Sequence, residues 1–315
     1  MDTAKNSLKD IVGDRAYAEI RSFVCKVNTI SDVRSGARIL FDYGIIALCI
    51  WGSIKSDSIL IYTLALIIIA GRQHGLMILI HEAVHGLLFS SPKLNDAAAE
   101  IFCCLPLGVY FQGYKWNHLT HHQFLNSNKD PDWARKAQSG WIFPMSIRRF
   151  TLFFLRESFY RLPKSRLLRI KNMFLGKRSS KQYQFGVWFF LIAQFLILYK
   201  MGWLIEYVIF WIVPLWFIVP GIFTIRSLSE HFALPYKSEL TDSRDIRANW
   251  INLIFIPHHA SYHLTHHLFP YAPSYNLRKI SEFLQKNSQF SEGAMYSDGY
   301  VYGKNSLLKQ LLNRR

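Results

Sequence analysis

No two of the four cysteines, Cys25, Cys49, Cys103 and Cys104, stand in a C-x-x-C pair, and their spacing makes no disulfide framework. That disfavours thiol-bound metal and a disulfide-stapled secreted fold, and the four read as small buried apolar residues. Acids are also scarce: 21 Asp and Glu stand against 37 Lys and Arg, a net charge of +16. Such an excess suggests nucleic acid, anionic lipid or an acidic protein as partner. The opening MDTAKNSLKDIVGDRAYAEI lacks the apolar core of about 7 to 15 residues that a cleavable secretory signal needs, so none is expected.

What is abundant is apolar surface: half of the 315 residues are hydrophobic and 16% are aromatic. Residues 39–54, 59–80, 185–199 and 203–225 form four blocks of membrane-spanning character. The short turns Lys55–Ser58 and Lys200–Trp203 tie them into two transmembrane hairpins, the last helix kinked by Pro214 and Pro220. The expected fold is therefore an all-α integral membrane protein of about four spanning helices, with a helical cytosolic cap. Apolar blocks this long argue against nucleic acid as the partner. Residues 1–38 read as an N-terminal cytosolic segment and 39–315 as a single membrane-embedded domain. Ala97–Gly113 is apolar but short, and Glu100, Pro106 and Gly108 interrupt it, so it reads as a dipping or interfacial segment in preference to a fifth span.

Positive charge orients the chain. Residues 1–38 hold seven Lys or Arg, 86–184 hold sixteen and 226–315 hold eleven, while the hairpin turns hold almost none. By the positive-inside rule, 86–184 and 226–315 are cytosolic, which makes the protein multi-pass with its histidines on the cytosolic face. Within Arg148–Lys181, eleven basic residues and the single acid Glu157 alternate with Phe, Leu and Tyr, a pattern suited to lying on anionic membrane lipid.

HEAVH at 81–85 closes the second apolar block. Its first histidine lies about 15 Å beyond Gly71 along a helix, near the membrane surface. Downstream, H-L-T-H-H occurs twice, as His118, His121 and His122 and as His263, His266 and His267. With 12 histidines in the chain, an H-x-x-H-H should arise by chance about 0.02 times, so two copies signal metal binding. On a helix, spacings of three and four put the imidazoles on one face. Eight imidazoles exceed what one tetrahedral zinc can use, which implies two metals. Imidazole suits iron, zinc, copper and nickel alike, so the ligands do not name the metal. His231, at the end of the fourth apolar block as His81 is of the second, makes a ninth ligand.

Neutral ligands leave the charge of two cations uncancelled, so carboxylates are expected nearby to orient imidazoles through their other nitrogen. Glu82, Asp130, Asp132 and Glu230 are the candidates, with His259 a further neighbour of the third box. His74 reads as a packing or hydrogen-bonding residue. No side chain beyond the metal centre is expected to act chemically.

HEAVH after an apolar helix, HLTHH followed by DPD, and YHLTHHLFP resemble the histidine boxes of the membrane fatty-acid desaturases and related hydroxylases, over about residues 70–280. The resemblance implies a diiron centre that activates O2 and removes hydrogen from an unactivated methylene of a lipid acyl chain. The boxes would map to His81 and His85, then His118, His121 and His122, then His263, His266 and His267, with His231 as the additional ligand. Where some members hold water on an asparagine four positions before that histidine, this chain has Ser227. No room for a fused haem-binding domain is seen before the first span, so an external ferredoxin or cytochrome b5-type electron donor is implied. A lipid passage along Ala97–Gly113, walled by Trp116 and Trp250, is a further expectation.

Two rivals belong to other classes. An intramembrane zinc protease would use His81 and His85 as ligands and Glu82 as base, but leaves both HLTHH copies idle. A metal transporter would need polar ligands within its spanning helices, where this chain has few. Within the oxidase class, hydroxylation or ketolation of a lipid or carotenoid shares the same ligands, and the form of the third box favours desaturation.

Overall fold

The computed structural model describes residues 6–133, 140–175, 180–247 and 249–312. Its first helix, α1 (Leu8–Val27), is followed by the long pair α2 (Asp32–Ile54) and α3 (Ile59–Val84). Ser31 starts α2 by accepting a hydrogen bond from the Arg34 N–H at 3.4 Å, as an N-cap serine does. With 23 and 26 residues the pair is about 35 and 39 Å long, enough to cross a hydrocarbon layer. α3 is apolar from Leu64 to Gly71 and again over Leu76–Ile80, on either side of Arg72, Gln73 and His74, and an apolar helix is stable only where all its faces are covered. Accordingly Ile69, Leu76, Ile78 and Leu79 are fully buried. α2, by contrast, turns Leu40 and Leu48 outward.

Next come α4 (Pro92–Leu107) and α5 (Phe111–Gln123), which meet at a bend of 101°. The segment expected to dip thus folds back beside the first hairpin instead of running straight. Cys103, Cys104, Leu107 and Phe111 join Ile69, Leu76 and Leu79 in one buried cluster. The Trp211 indole N–H donates to the Pro106 carbonyl at 2.9 Å, and Gln73 Nε2 donates to the Trp211 carbonyl at 2.8 Å. Trp116 and Trp250 lie at the surface, 60% and 58% exposed, so they do not wall an enclosed passage.

α6 (Ile147–Arg156) passes through a π-helical turn, Glu157–Arg161, into α7 (Leu162–Leu175). The apolar Ile147, Leu152, Leu155, Leu167 and Leu168 are exposed there, as a helix lying on lipid requires. Of the basic stretch, residues 176–179 lie outside the described residues. The second hairpin is α8 (Lys181–Met201) and α9 (Leu204–His231). α8 leaves Phe185, Trp188, Phe189 and Ile192 uncovered, an apolar face that suits lipid and not water. α9 widens into a π-helical turn at Val208–Ile212, just before Pro214, and breaks at Ile218 before Pro220, where a proline removes a ladder hydrogen bond.

The chain closes with α10 (Trp250–Ile254), α11 (His263–Leu268), α12 (Ser274–Leu284) and shorter turns. A two-residue parallel pair joins Asp245–Ile246 to Tyr296–Ser297. α1 packs on this part: Leu8, Val12, Ile20 and Val24 are buried with Leu277, Ile280 and Leu284.

The four long helices agree with the expected all-α membrane fold, although each exceeds its apolar block. α2 begins at Asp32 and not at 39, and α3 ends at Val84 and not at 80. Hydropathy marks where lipid ends, whereas backbone hydrogen bonding carries a helix on into polar sequence.

Candidate metal centre

Three helix ends and one whole helix deliver the histidines. α3 runs out at His81 and His85, where Gly86 takes φ +71° to turn the chain away; no atom lies within 4 Å of where its Cβ would sit, so backbone conformation and not crowding favours glycine there. α5 carries His118, His121 and His122 in its last two turns, α9 ends on His231, and α11 spans the third box. The nine imidazoles sort into two groups, each with its ligand nitrogens within 4.8 Å of one another. His81, His85, His118, His122 and His266 form one; His121, His231, His263 and His267 form the other.

Ring tips converge within each group. In the first, the Nε2 atoms of His85 and His122 lie 2.9 and 3.0 Å from that of His118, and His266 Nε2 lies 3.1 Å from His122 Nε2. In the second, His231 Nε2 is 2.8 Å from His263 Nε2 and 3.2 Å from His121 Nε2, and His267 Nε2 is 3.0 Å from His263 Nε2. His81 sits with ring centroids 4.3 Å from His118 and 4.5 Å from His266, and its Nε2 is buried with no hydrogen-bond partner. A ring of lone pairs facing inward, one of them orphaned, is a donor set that fits a cation.

The outer nitrogens are held. His121 Nδ1 lies 2.9 Å from Asp130 Oδ2, and the same carboxylate accepts from the backbone N–H groups of Asn126, Asp132 and Trp133. Glu230 Oε1 is 3.3 Å from His263 Nδ1, and His231 Nδ1 is 3.1 Å from the Asp242 carbonyl. Each contact leaves the inner nitrogen for a metal. Burial holds His263, His266 and His267 well below the ordinary imidazole value, and neighbouring histidines push the same way. All three are therefore neutral at pH 7, the form that can ligate.

Four residues named from the sequence lie apart from the two groups. Glu82 accepts from the Ser274 N–H at 2.8 Å and pairs with Arg38 at 3.6 Å, which ties α3 to the start of α12. Asp132 meets Asp130 through its backbone, and His74 Nδ1 faces the Phe255 carbonyl at 2.7 Å. His259 sits in a turn at φ +59°; burial foremost, then Arg38, pushes it down to about 4.

Other residues near the histidines belong to none of the three histidine boxes. Asp245 accepts from the Thr265 N–H and hydroxyl at 3.0 and 2.6 Å and from the Ser281 hydroxyl at 2.7 Å, so it anchors α11 from within. Asp42 is buried between Arg72 at 3.2 Å and His258 Nε2 at 2.8 Å, and Arg38 Nε donates to His258 Nδ1 at 3.2 Å. Arg226 donates to Glu230 at 2.6 Å from one turn earlier on α9. A charged residue inside an apolar block, as Asp42 and Arg72 are, was the available clue; Arg226 stands just past the end of the fourth block.

The sequence is similar to those of known proteins. The chain is 26% identical over 305 residues to dihydrorhizobitoxine desaturase from Bradyrhizobium elkanii, covering 90% of this chain and 85% of that one. It is 26% identical over 208 residues to beta-carotene ketolase from Paracoccus sp. (strain PC1), 64% of this chain and 72% of that one. It is also 26% identical over 217 residues to sphingolipid delta(4)-desaturase/C4-monooxygenase DES2 from Homo sapiens, 66% of this chain and 62% of that one. Residues 57–298 match the model of the fatty acid desaturase family, and by that match the chain belongs to it, as a membrane oxidoreductase.

Proposed function

We propose that the protein desaturates an acyl chain of a lipid or acyl thioester, using two iron ions, O2 and electrons from an external ferredoxin or cytochrome b5-type carrier. The observation that carries this reading is the sorting of nine histidines into two groups of five and four, each able to hold one cation. Irons bound there would supply the oxidising power to break an unactivated C–H bond. In balance, a –CH2–CH2– unit, O2, two electrons and two protons give –CH=CH– and two waters. All nine histidines would be metal ligands, with Asp130 and Glu230 orienting His121 and His263.

The remaining work falls to residues that hold and exclude. Asp130 and Glu230 present the inner nitrogens of their partners, Asp245 fixes the helix of the third box, and the apolar wall from α3 keeps bulk water away. Placement of the histidines at helix ends lets a greasy substrate stay in the membrane while its reacting carbons reach the metals. With the positive segments on the cytosolic side, a soluble donor would approach that same face.

Hydroxylation or ketolation is the second reading, because a ketolase and a desaturase/C4-monooxygenase are among the relatives. Expression in a host of known lipid composition, followed by mass spectrometry of its acyl chains, decides. A new double bond is expected, absent with His118→Ala. A new hydroxyl or ketone without unsaturation would replace the first reading by the second.

A further inference from the structure

α9 ends on His231, and a helix end leaves its last carbonyls without helical partners. One side chain from outside every histidine box meets several of them. Arg244 Nη1 donates to the Ser229 carbonyl at 2.9 Å and to that of Leu228 at 3.5 Å. Its Nη2 reaches the two carbonyls just past the helix, Phe232 at 3.0 Å and Ala233 at 3.3 Å. The residue is fully buried, at 0% exposure. A guanidinium cannot shed its charge, and a helix C-terminus is where the backbone dipole favours a cation.

The same stretch of chain grips the helix of the third box. Arg244's own carbonyl accepts from the Leu264 N–H at 3.3 Å, and its neighbour Asp245 holds Thr265, both contacts falling in the first turn of α11. Two positions earlier, the Asp242 carbonyl faces His231 Nδ1 at 3.1 Å. Residues 242–245 therefore touch both helices that carry His231, His263 and His267, three of the four members of the second histidine group. The first group instead takes four of its five histidines from α3 and α5. Support for the stretch comes from the C-terminal side. Asp245–Ile246 pairs with Tyr296–Ser297, and Gln310 accepts from Arg244 Nη2 at 2.7 Å while its Nε2 donates to Ser297 Oγ at 2.8 Å.

We propose that Arg244 is a positioning residue for the second histidine group, fixing the end of α9 against the start of α11 so that His231 meets His263 and His267. The proposal rests on the dimetal reading above, and the test separates the two. The full chain in detergent is titrated anaerobically with ferrous iron against a competing chelator. Iron bound per chain and the melting temperature of the iron-free chain are recorded for each variant.

Two binding steps are expected in the native chain, and His231→Ala, which removes a ligand of the second group alone, identifies the step that belongs to that group. Arg244→Met keeps an unbranched stem without donors; it should raise the Kd of that step roughly 10- to 100-fold and leave the other step unchanged. Arg244→Lys keeps the charge but not the fork, so it should recover part of the loss. Gln310→Ala frees one side of the guanidinium and should weaken the same step to a smaller degree. A merely structural role would weaken both steps alike, and that result in Arg244→Met would overturn the proposal, as would native-like binding of both irons. If Arg244→Met does not fold, Gln310→Ala decides: selective weakening of the second group's step supports the proposal, and native-like or equal binding loss overturns it. A native chain that takes up no iron overturns the dimetal reading, and this role of Arg244 with it.

Discussion

At the scale of single residues, burial and the outer hydrogen bond decide what each histidine can do. Asp130 serves one imidazole and three backbone N–H groups, so Asp130→Ala strips His121 of its orienting partner and strands three donors. Loss of such a partner costs roughly 10- to 100-fold in metal affinity. We expect that loss in a chelator titration of iron, and little change with Asp132→Ala, whose contact to Asp130 comes from its backbone. Titration carries a second consequence. His263, His266 and His267 stay neutral in the folded chain below the ordinary imidazole value of about 6.5, whereas the unfolded chain takes up protons there. The unfolded state binds more protons in that window, so stability falls as pH drops below about 6.5. Metal-free protein should therefore melt at a lower temperature at pH 5.5 than at pH 7.5; a higher melting temperature in acid would contradict the neutral assignment.

Elements explain how residues so far apart meet. On α3, Gly71 lies where a Cβ would come within 1.9 Å of the Ile254 carbonyl, so only glycine lets α10 close over that helix. Four residues on, a Cβ at Gly75 would press on the Asp42 carboxylate at 2.7 Å. Arg72 lies between them and donates to the Leu253 and Ile254 carbonyls as well as to Asp42, which ties α2, α3 and the approach to the third box together. Gly71→Ala should destabilise the protein by about 1–3 kcal/mol through overpacking. Gly44→Ala, in open space on α2, should be neutral or stabilise by about 0.5–1 kcal/mol. Melting temperatures in detergent check the contrast. Helical spacing also sorts the ligands. His81 with His85, His118 with His122, and His263 with His267 are each four apart and stay in one group, while His121 and His266, three from their box's first histidine, join the other. The second and third boxes therefore each contribute to both groups.

For the molecule as a whole, the charge distribution and the two hairpins demand one sidedness. A cysteine placed at Asp57, in the first hairpin turn, should react with an impermeant maleimide in intact cells expressing a variant without the native cysteines. One at Lys304 should react only after lysis. The reverse pattern would move the histidines to the outer face. Much of this architecture was legible beforehand: run lengths of apolar residues located four long helices, and repeated H-x-x-H-H marked histidines that the fold gathers. Less legible were the acids. Asp130 and Glu230 do face imidazoles, but Glu82, which seemed their equal in HEAVH, points to Arg38 and α12, because only packing decides which side of a helix end meets which neighbour.

By itself, then, the sequence determined that this chain enters a membrane and which nine imidazoles it brings together, because run length and helical spacing are local properties. Tertiary structure alone decided how those nine divide into two groups and which carboxylates face them. Those outcomes depend on contacts such as His121 with Asp130, nine positions apart, and His122 with His266, 144 apart, and on their removal from water, neither of which a periodic pattern contains.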